Sequence, residues 1–477
     1  MFNNNIIKSI FVVQIIGLIF SLVFGYVNVD SLEHLRMSWL VSQGYVPYRD
    51  FFEHHHPLLW YIYLPFTVLL PHNFMLVLYF SRVFCLIFSA LMVFIVCKII
   101  KRYMGGKELI PYFLVIMLSF YPVWWCYVTL KPEILARLLY FLGIYMFFRY
   151  SEKYKTKYLV YSGIAFAVSF IAIQNIIFSV IPLIIPLFYL WDKNPKVGKD
   201  VLLSSIAPLA IIGTFVGLIY FSGTWKNYYE LCWIFNSKLF ELLYYEETSK
   251  LLYWCVPVAM GVCFWLYQVY TKQSSFYINT IGLLLCCEIV QRMLAKAAWH
   301  HYLILTFIFV SMVAAPVVSK IKKCFLRRMT YVVLIGALVM NLAYLGIFHY
   351  NGYAMKIYNR INSSPENSVA NIVFQNINIW EPKKSYYVLF LGLTLIDNYL
   401  FDRDPDYDIN KYIEENKIKY LDWEYEPFTP LYFDGAEFFE RFNIKPSIMK
   451  KYIMVNNSLW QRIDTIEPKM ANEKIQK

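Results

Sequence analysis

Charge is scarce in this sequence. Only 16% of its 477 residues are Asp, Glu, Lys or Arg, where a soluble protein averages about 25%. Nothing in it reads as a cofactor fingerprint either. There is no phosphate-cradling glycine loop, no GxSxG and no HExxH motif, and no internal repeat. Nine cysteines occur, all between Cys85 and Cys324, nearly all inside apolar runs and none in CxxC spacing. The spacing shows no disulfide framework and no CxxC metal pattern. The pI near 9 comes without a basic patch interleaved with aromatics, so nucleic acid is not an expected partner.

What the sequence has in abundance is hydrophobic residue: 59% of the chain, with 19% aromatic. Long apolar runs recur near 6–27, 74–97, 110–128, 134–149, 158–174, 176–191, 201–222, 251–270, 276–294, 302–319 and 329–348. A membrane-spanning helix needs about 20 residues, so the spacing predicts about eleven transmembrane helices. The first run is too long for a signal-peptide core and is expected to stay as a span. Residues 57–71 are apolar but short, bounded by Pro57 and Pro71, and read as an interfacial or re-entrant helix.

Lysine and arginine set the orientation. With the N-terminus in the cytoplasm, the cytoplasmic loops together with Lys8 carry 18 basic residues and the outer side ten, a positive-inside asymmetry. All eight histidines then fall on the outer side, and an odd number of spans sends residues 350–477 outside as well. That segment is more acidic than the rest, with 16 Lys+Arg against 18 Asp+Glu. It reads as a small extracytoplasmic α/β domain: a strand at 385–392, a capped helix at 408–417 and a strand at 418–423. The expected organisation is therefore a polytopic α-helical domain over 1–349, with a functional outer loop at 28–56, followed by the domain at 350–477.

Three polar knots interrupt the outer side. The first, VNVDSLEHLRMSWLVSQGYVPYRDFFEHHHPLLWY, holds Asp30, with Glu33 and His34 at i+3 and i+4 on one helix face, and then Glu53, His54, His55 and His56. The second, TLKPEILAR, crowds Lys131, Glu133 and Arg137. The third, QRMLAKAAWHHY, holds Arg292, Lys296, His300 and His301, with Trp299 and Tyr302 suited to stacking on a sugar ring. A carboxylate at the mouth of a helix bundle can accept a proton from an attacking hydroxyl. Cations, among them Arg82 and Arg137 near the outer ends of apolar segments, can neutralise a leaving phosphate. Each charge also has a plainer reading, as a snorkelling or interfacial side chain. No cofactor is expected. A divalent ion shared by His54 and His56 with Asp30, Glu33 or Asp50 is the alternative to a metal-free site, while the acidic stretch DRDPDYD at 402–408 reads as a solvated loop.

The layout resembles the GT-C superfamily of membrane glycosyltransferases, specifically bacterial relatives of protein O-mannosyltransferases and of the lipid A aminoarabinose transferase. Asp30 matches that family's early acid, with Ser31 in place of its usual acidic neighbour. His55-His56-Pro57-Leu58 stands where a Lys-Pro-Pro-Leu segment is usual. LKPEILARLL resembles the second-loop motif, with Glu133 where aspartate is common, and HHYLILTFIF resembles a late segment before an apolar span.

The resemblance implies inverting transfer of a sugar from a polyprenyl-phosphate donor to a glycan, lipid or protein acceptor. The reaction would take place on the outer face of a bacterial cytoplasmic membrane, without a nucleotide. It makes Asp30 the base, with Glu33 and Glu133 assisting. His54, His55, Arg82, Lys131, Arg137, Arg292, Lys296, His300 and His301 are then candidates for holding the donor. A transporter or flippase of lipid-linked glycans is the rival. It fits less well, because the charges gather at one face rather than at matched midplane helix breaks.

Overall fold

The computed structural model describes residues 4–24, 29–70, 74–237, 244–295, 302–321, 324–347, 369–371, 409–415, 417, 420–422, 445–456 and 459–465. The chain divides into two compact units. The first comprises Met1–Tyr26, His54–Phe66 and Asn73–Tyr350, and the second Val27–Glu53, Thr67–His72 and Asn351–Lys477.

The first unit is helical. Its elements are α1 (Asn4–Phe24), α4 (Phe74–Tyr103), α5 (Ile110–Met117), α6 (Tyr121–Val128), α7 (Pro132–Lys153), α8 (Thr156–Ala172), α9 (Ile177–Val180), α10 (Ile184–Lys193), α11 (Lys196–Phe221), α12 (Trp225–Tyr229), α13 (Tyr244–Tyr270), α14 (Phe276–Ala295), α15 (Ile304–Ser319) and α16 (Cys324–Ile347). Two further helices lie between α1 and α4: α2 (Val29–Ser42) and the apolar α3 (Leu58–Leu69).

All eleven expected apolar runs fall on helical segments. Among the described residues, six stretches are long and apolar enough to cross a membrane: Asn5–Val23, Leu76–Tyr103, Pro132–Lys153, Gln174–Lys193, Lys196–Phe221 and Phe276–Leu294. The chain is a multi-pass helical membrane protein. Its outward faces are apolar, as at Val12, Ile16 and Ile19 of α1 and Leu202, Ile206 and Leu209 of α11, which is what lipid contact requires. The remaining runs fold as shorter or broken helices. α15 is apolar all round and buried along most of its length, as a central helix should be.

The run at 110–128 is not straight. Lys107–Met117 and Tyr121–Val128 meet at 94°, with Pro122 in the first turn of α6. A break at membrane depth frees backbone carbonyls that lipid cannot satisfy. Buried amides and an indole answer them. Gln14 donates to Val115 O at 3.1 Å, Trp124 Nε1 donates to Leu118 O, and Asn341 Nδ2 reaches Leu118 O at 3.2 Å and Ser119 O at 3.3 Å.

α7, α8 and α11 pack side by side. Ser162 donates to Gly143 O and Ser169 to Ala136 O. At Gly143 a Cβ would come within 2.4 Å of the Phe166 ring, so the close approach of the two helices needs glycine there. At the far ends of α7 and α11, buried Asp200 accepts from Tyr150 (3.0 Å) and Thr156 (2.7 Å).

In the second unit, α2 is followed by a turn through Gly44, whose φ of 87° suits glycine. Asp50 then accepts from Val46 N at 2.6 Å and fixes the return of the chain. A four-stranded sheet has the order β1-β2-β4-β3, formed by β1 (Val369–Asn371), β2 (Tyr420–Asp422), β3 (Tyr452–Asn456) and β4 (Leu459–Arg462). β1 and β2 are parallel, with Val369 opposite Tyr420, and β3 and β4 pair antiparallel with a bulge between Met454 and Asn456. The helix and strand expected at 408–417 and 418–423 correspond to α17 (Ile409–Glu415) and β2. The strand expected at 385–392 and the loop at 402–408 lie outside the described residues.

Candidate active site

The chain enters α7 through Leu130-Lys131-Pro132. Lys131 is extended (φ −147°) and Pro132 occupies the first turn, where its fixed φ and missing N–H cost nothing. Glu133 follows in that turn, where the helix dipole favours an acid. Arg137 lies one turn further on the same face. Both side chains are buried, at 4% and 3% exposure.

These two residues line a small, partly open pocket with Ile173, Asn175 and Ile176 from the turn after α8, Ser179 of α9, and Arg292 and Tyr302. The second and third polar knots of the sequence thus meet in one place. Arg292 lies 3.7 Å from Glu288, four residues earlier on α14, and its guanidinium stands over the Tyr302 ring at 5.1 Å. Glu288 in turn accepts from Ser179 Oγ, and Tyr140 donates to Ser179 O at 2.9 Å. Glu133, Glu288 and Arg292 are charged neighbours of Arg137.

Two guanidinium groups brought together out of water repel each other strongly. The two glutamates offset that repulsion.

A second constellation lies at His54, His55 and His56, all in the first unit. The His56 ring is fully buried, and Nδ1 is 2.7 Å from Phe170 O. A carbonyl only accepts, so Nδ1 carries the proton. Nε2 then accepts from Tyr228 Oη at 2.9 Å, and Tyr228 Oη receives Trp233 Nε1–H at 3.3 Å. Burial pulls the His56 pKa down to about 3, so the ring is neutral at ordinary pH. Both of its nitrogens are engaged by protein groups. Neither nitrogen is left to join His54 in holding the ion considered from the sequence.

His54 and His55 are half-buried, with ring centroids 4.0 Å apart. Arg82 lies elsewhere in the first unit. Its guanidinium donates to Leu22 O at 3.1 Å, at the carboxyl end of α1, where a cation is favoured. Lys131 is buried at the start of α7, two residues from Glu133, but does not line the pocket. Glu33 is buried in the second unit, on α2, where Asp30 also occurs in the first turn. Lys296, His300 and His301 lie outside the described residues. Sequence reasoning missed Glu288, Ser179 and Asn175. A lone carboxylate within the apolar run LLLCCEIV, four residues before an arginine, is the signal for Glu288.

No curated protein matches this chain. A family model does, and it takes in His55, Arg82, Lys131, Glu133 and Arg137 while leaving Asp30, Glu33, His54 and Arg292 outside. Residues 55–225 match the dolichyl-phosphate-mannose-protein mannosyltransferase family, and over that stretch the chain carries a domain of the GT-C superfamily, as the resemblance read from the sequence implied.

Proposed function

We propose that this protein is an integral-membrane glycosyltransferase that moves a sugar from a polyprenyl-phosphate donor to a glycan, lipid or protein acceptor, with inversion. The observation that carries the reading is the convergence of Arg137 and Arg292 beside Glu133, in a chain with a matching family stretch. The excess of lysine and arginine in alternate loops supports a cytoplasmic N-terminus and a reaction on the outer face of a bacterial cytoplasmic membrane.

In this reading the acceptor oxygen attacks the anomeric carbon from the face opposite the phosphate. The bond from that carbon to the phosphate oxygen breaks, and the polyprenyl phosphate departs with the electron pair. Asp30 takes the proton of the attacking hydroxyl, Glu33 supports it, and Glu133 orients the acceptor. Arg137 and Arg292 neutralise the charge that grows on the phosphate as the bond lengthens.

The test is transfer by purified protein, in liposomes, from a panel of radiolabelled polyprenyl-phosphate sugars. Label should reach an acceptor with the wild type and not with Asp30→Asn or Arg137→Gln, both still folded. Absence of transfer from every donor, with the lipid phosphate still bound, would sink the enzyme reading in favour of transport.

A further inference from the structure

The three histidines are bonded to residues next to the pocket's lining and to the stretch that follows α12. His54 O accepts two amide donors, Gln174 Nε2 and Asn236 Nδ2, each at 2.9 Å. The same two amides also donate to Cys232 O, at 3.2 and 3.0 Å, and Cys232 Sγ reaches His55 O at 3.8 Å. With the His56 ring held by Phe170 and Tyr228, backbone and side chain of the segment are tied on both sides. The ties run to the turn after α8 and to the stretch Glu230–Phe235, which forms a π-helical turn, a rare conformation that is frequent at functional sites.

Gln174 begins the short 3₁₀ turn Gln174–Ile176. Its neighbours Ile173, Asn175 and Ile176 line the pocket that holds Arg137 and Arg292. From the other side Gln291, the residue before Arg292, sets its amide 3.5 Å from Asn175 O. One face of the turn therefore looks toward the histidine segment and the other toward the arginines.

We infer that Gln174 and His56 are positioning residues, which act through the Ile173–Ile176 turn to hold the arginine pocket in the shape that binds a lipid-linked phosphate. The inference rests on the phosphate reading of that pocket given above. It adds that the histidine segment serves the pocket as a brace, with His56 acting as a neutral Nδ1–H group whose imidazole accepts one hydrogen bond and donates one.

The test is binding of polyprenyl monophosphate to the full-length protein in detergent, with Gln174→Leu, His56→Leu and the more conservative His56→Asn, whose amide can still donate to Phe170 O. Asn341→Leu, which removes a buried amide far from this network in the sequence, is the control for lost stability. Affinity should fall roughly three- to thirtyfold in Gln174→Leu and His56→Leu and recover in part in His56→Asn. Asn341→Leu, with a comparable drop in melting temperature, should bind as the wild type does. Combined with Arg137→Gln, the Gln174→Leu loss should shrink, because the residue it positions is gone.

Unchanged affinity in the variants, strictly additive losses, or losses that merely follow melting temperature in all four proteins would overturn the inference. If the leucine variants do not fold, the comparison of His56→Asn with Asn341→Leu decides it. A wild type that binds the lipid phosphate but transfers no sugar leaves this inference standing and removes the proposed function. A wild type that does not bind it removes both.

Discussion

Arg137 and Arg292 reach the same pocket from two helices, each preceded by a glutamate one turn earlier on its own helix: Glu133 before Arg137 and Glu288 before Arg292. The repetition separates the structural job of each arginine from its chemical one. Replacing Arg292 by glutamine leaves Glu288, which is 1% exposed, with Ser179 and the charge of Arg137 but without its ion-pair partner, and should cost about 1–3 kcal/mol of stability. The double variant Glu288→Gln with Arg292→Gln should recover most of that in thermal unfolding. Transfer should stay low in both, by about a hundredfold or more, since the cation remains absent. Recovery of activity in the double variant would show that Arg292 serves the fold alone.

The two acidic candidates separate in the same way. Asp30→Asn should lower the rate of transfer by about a hundred- to ten-thousandfold if Asp30 is the base, with donor binding retained. Glu133→Gln leaves Arg137 without its helical partner, so it should weaken donor binding as well as rate. Steady-state kinetics with the donor as varied substrate distinguish the two. A Glu133→Gln enzyme with unchanged KM for the donor would move Glu133 away from the phosphate.

The helices were legible because their apolar runs are nearly continuous, and Lys131, Glu133 and Arg137 because charges in such a setting stand out. Less could be read where two distant segments supply one site. The approach of Arg292 to Arg137 depends on how α14 packs in the first unit, which periodicity does not encode. His56 drew attention as a metal-ligand candidate, but its role is set by Phe170 O and Tyr228, residues without an obvious chemical signature. The bend between α5 and α6 had one local sign, Pro122, while the buried amides that sustain it, Gln14 and Asn341, are scattered along the chain.

That bend makes its own prediction. Asn341 is 3% exposed and donates to two carbonyls at the break, Leu118 O and Ser119 O. Asn341→Leu removes both hydrogen bonds in a setting without water, and should cost about 1–3 kcal/mol. Trp124 Nε1 still serves Leu118 O, so Ser119 O suffers the larger loss. Thermal unfolding in detergent should show the drop. Asn341→Ser, small enough to admit a water, should show less of it, and equal losses would mean that packing rather than hydrogen bonding sets the cost.

The pH dependence of stability follows from His56. Its pKa is 6.5 when unperturbed and about 3 in the folded chain. Above pH 6.5 both folded and unfolded states hold a neutral imidazole, and the contribution to stability is complete. Below it the unfolded chain takes up a proton that the folded site refuses, because Nδ1 already donates to Phe170 O and Nε2 accepts from Tyr228. Stability should therefore fall with falling pH through the window from 6.5 toward about 3, by about 1.4 kcal/mol per pH unit. The titratable groups nearest the ring are His55, Tyr228 and, beyond it, Cys232. None of them gains negative charge on acidification, and a protonated His55 only deepens the effect. Carboxylates elsewhere also titrate in this range, so the measurement is the difference between wild type and His56→Asn across the pH series. That difference should favour the wild type at neutral pH and shrink steadily as the solution is acidified. A constant difference would mean that the folded site takes up a proton as readily as the unfolded chain does, and that the ring is not sealed by these two partners.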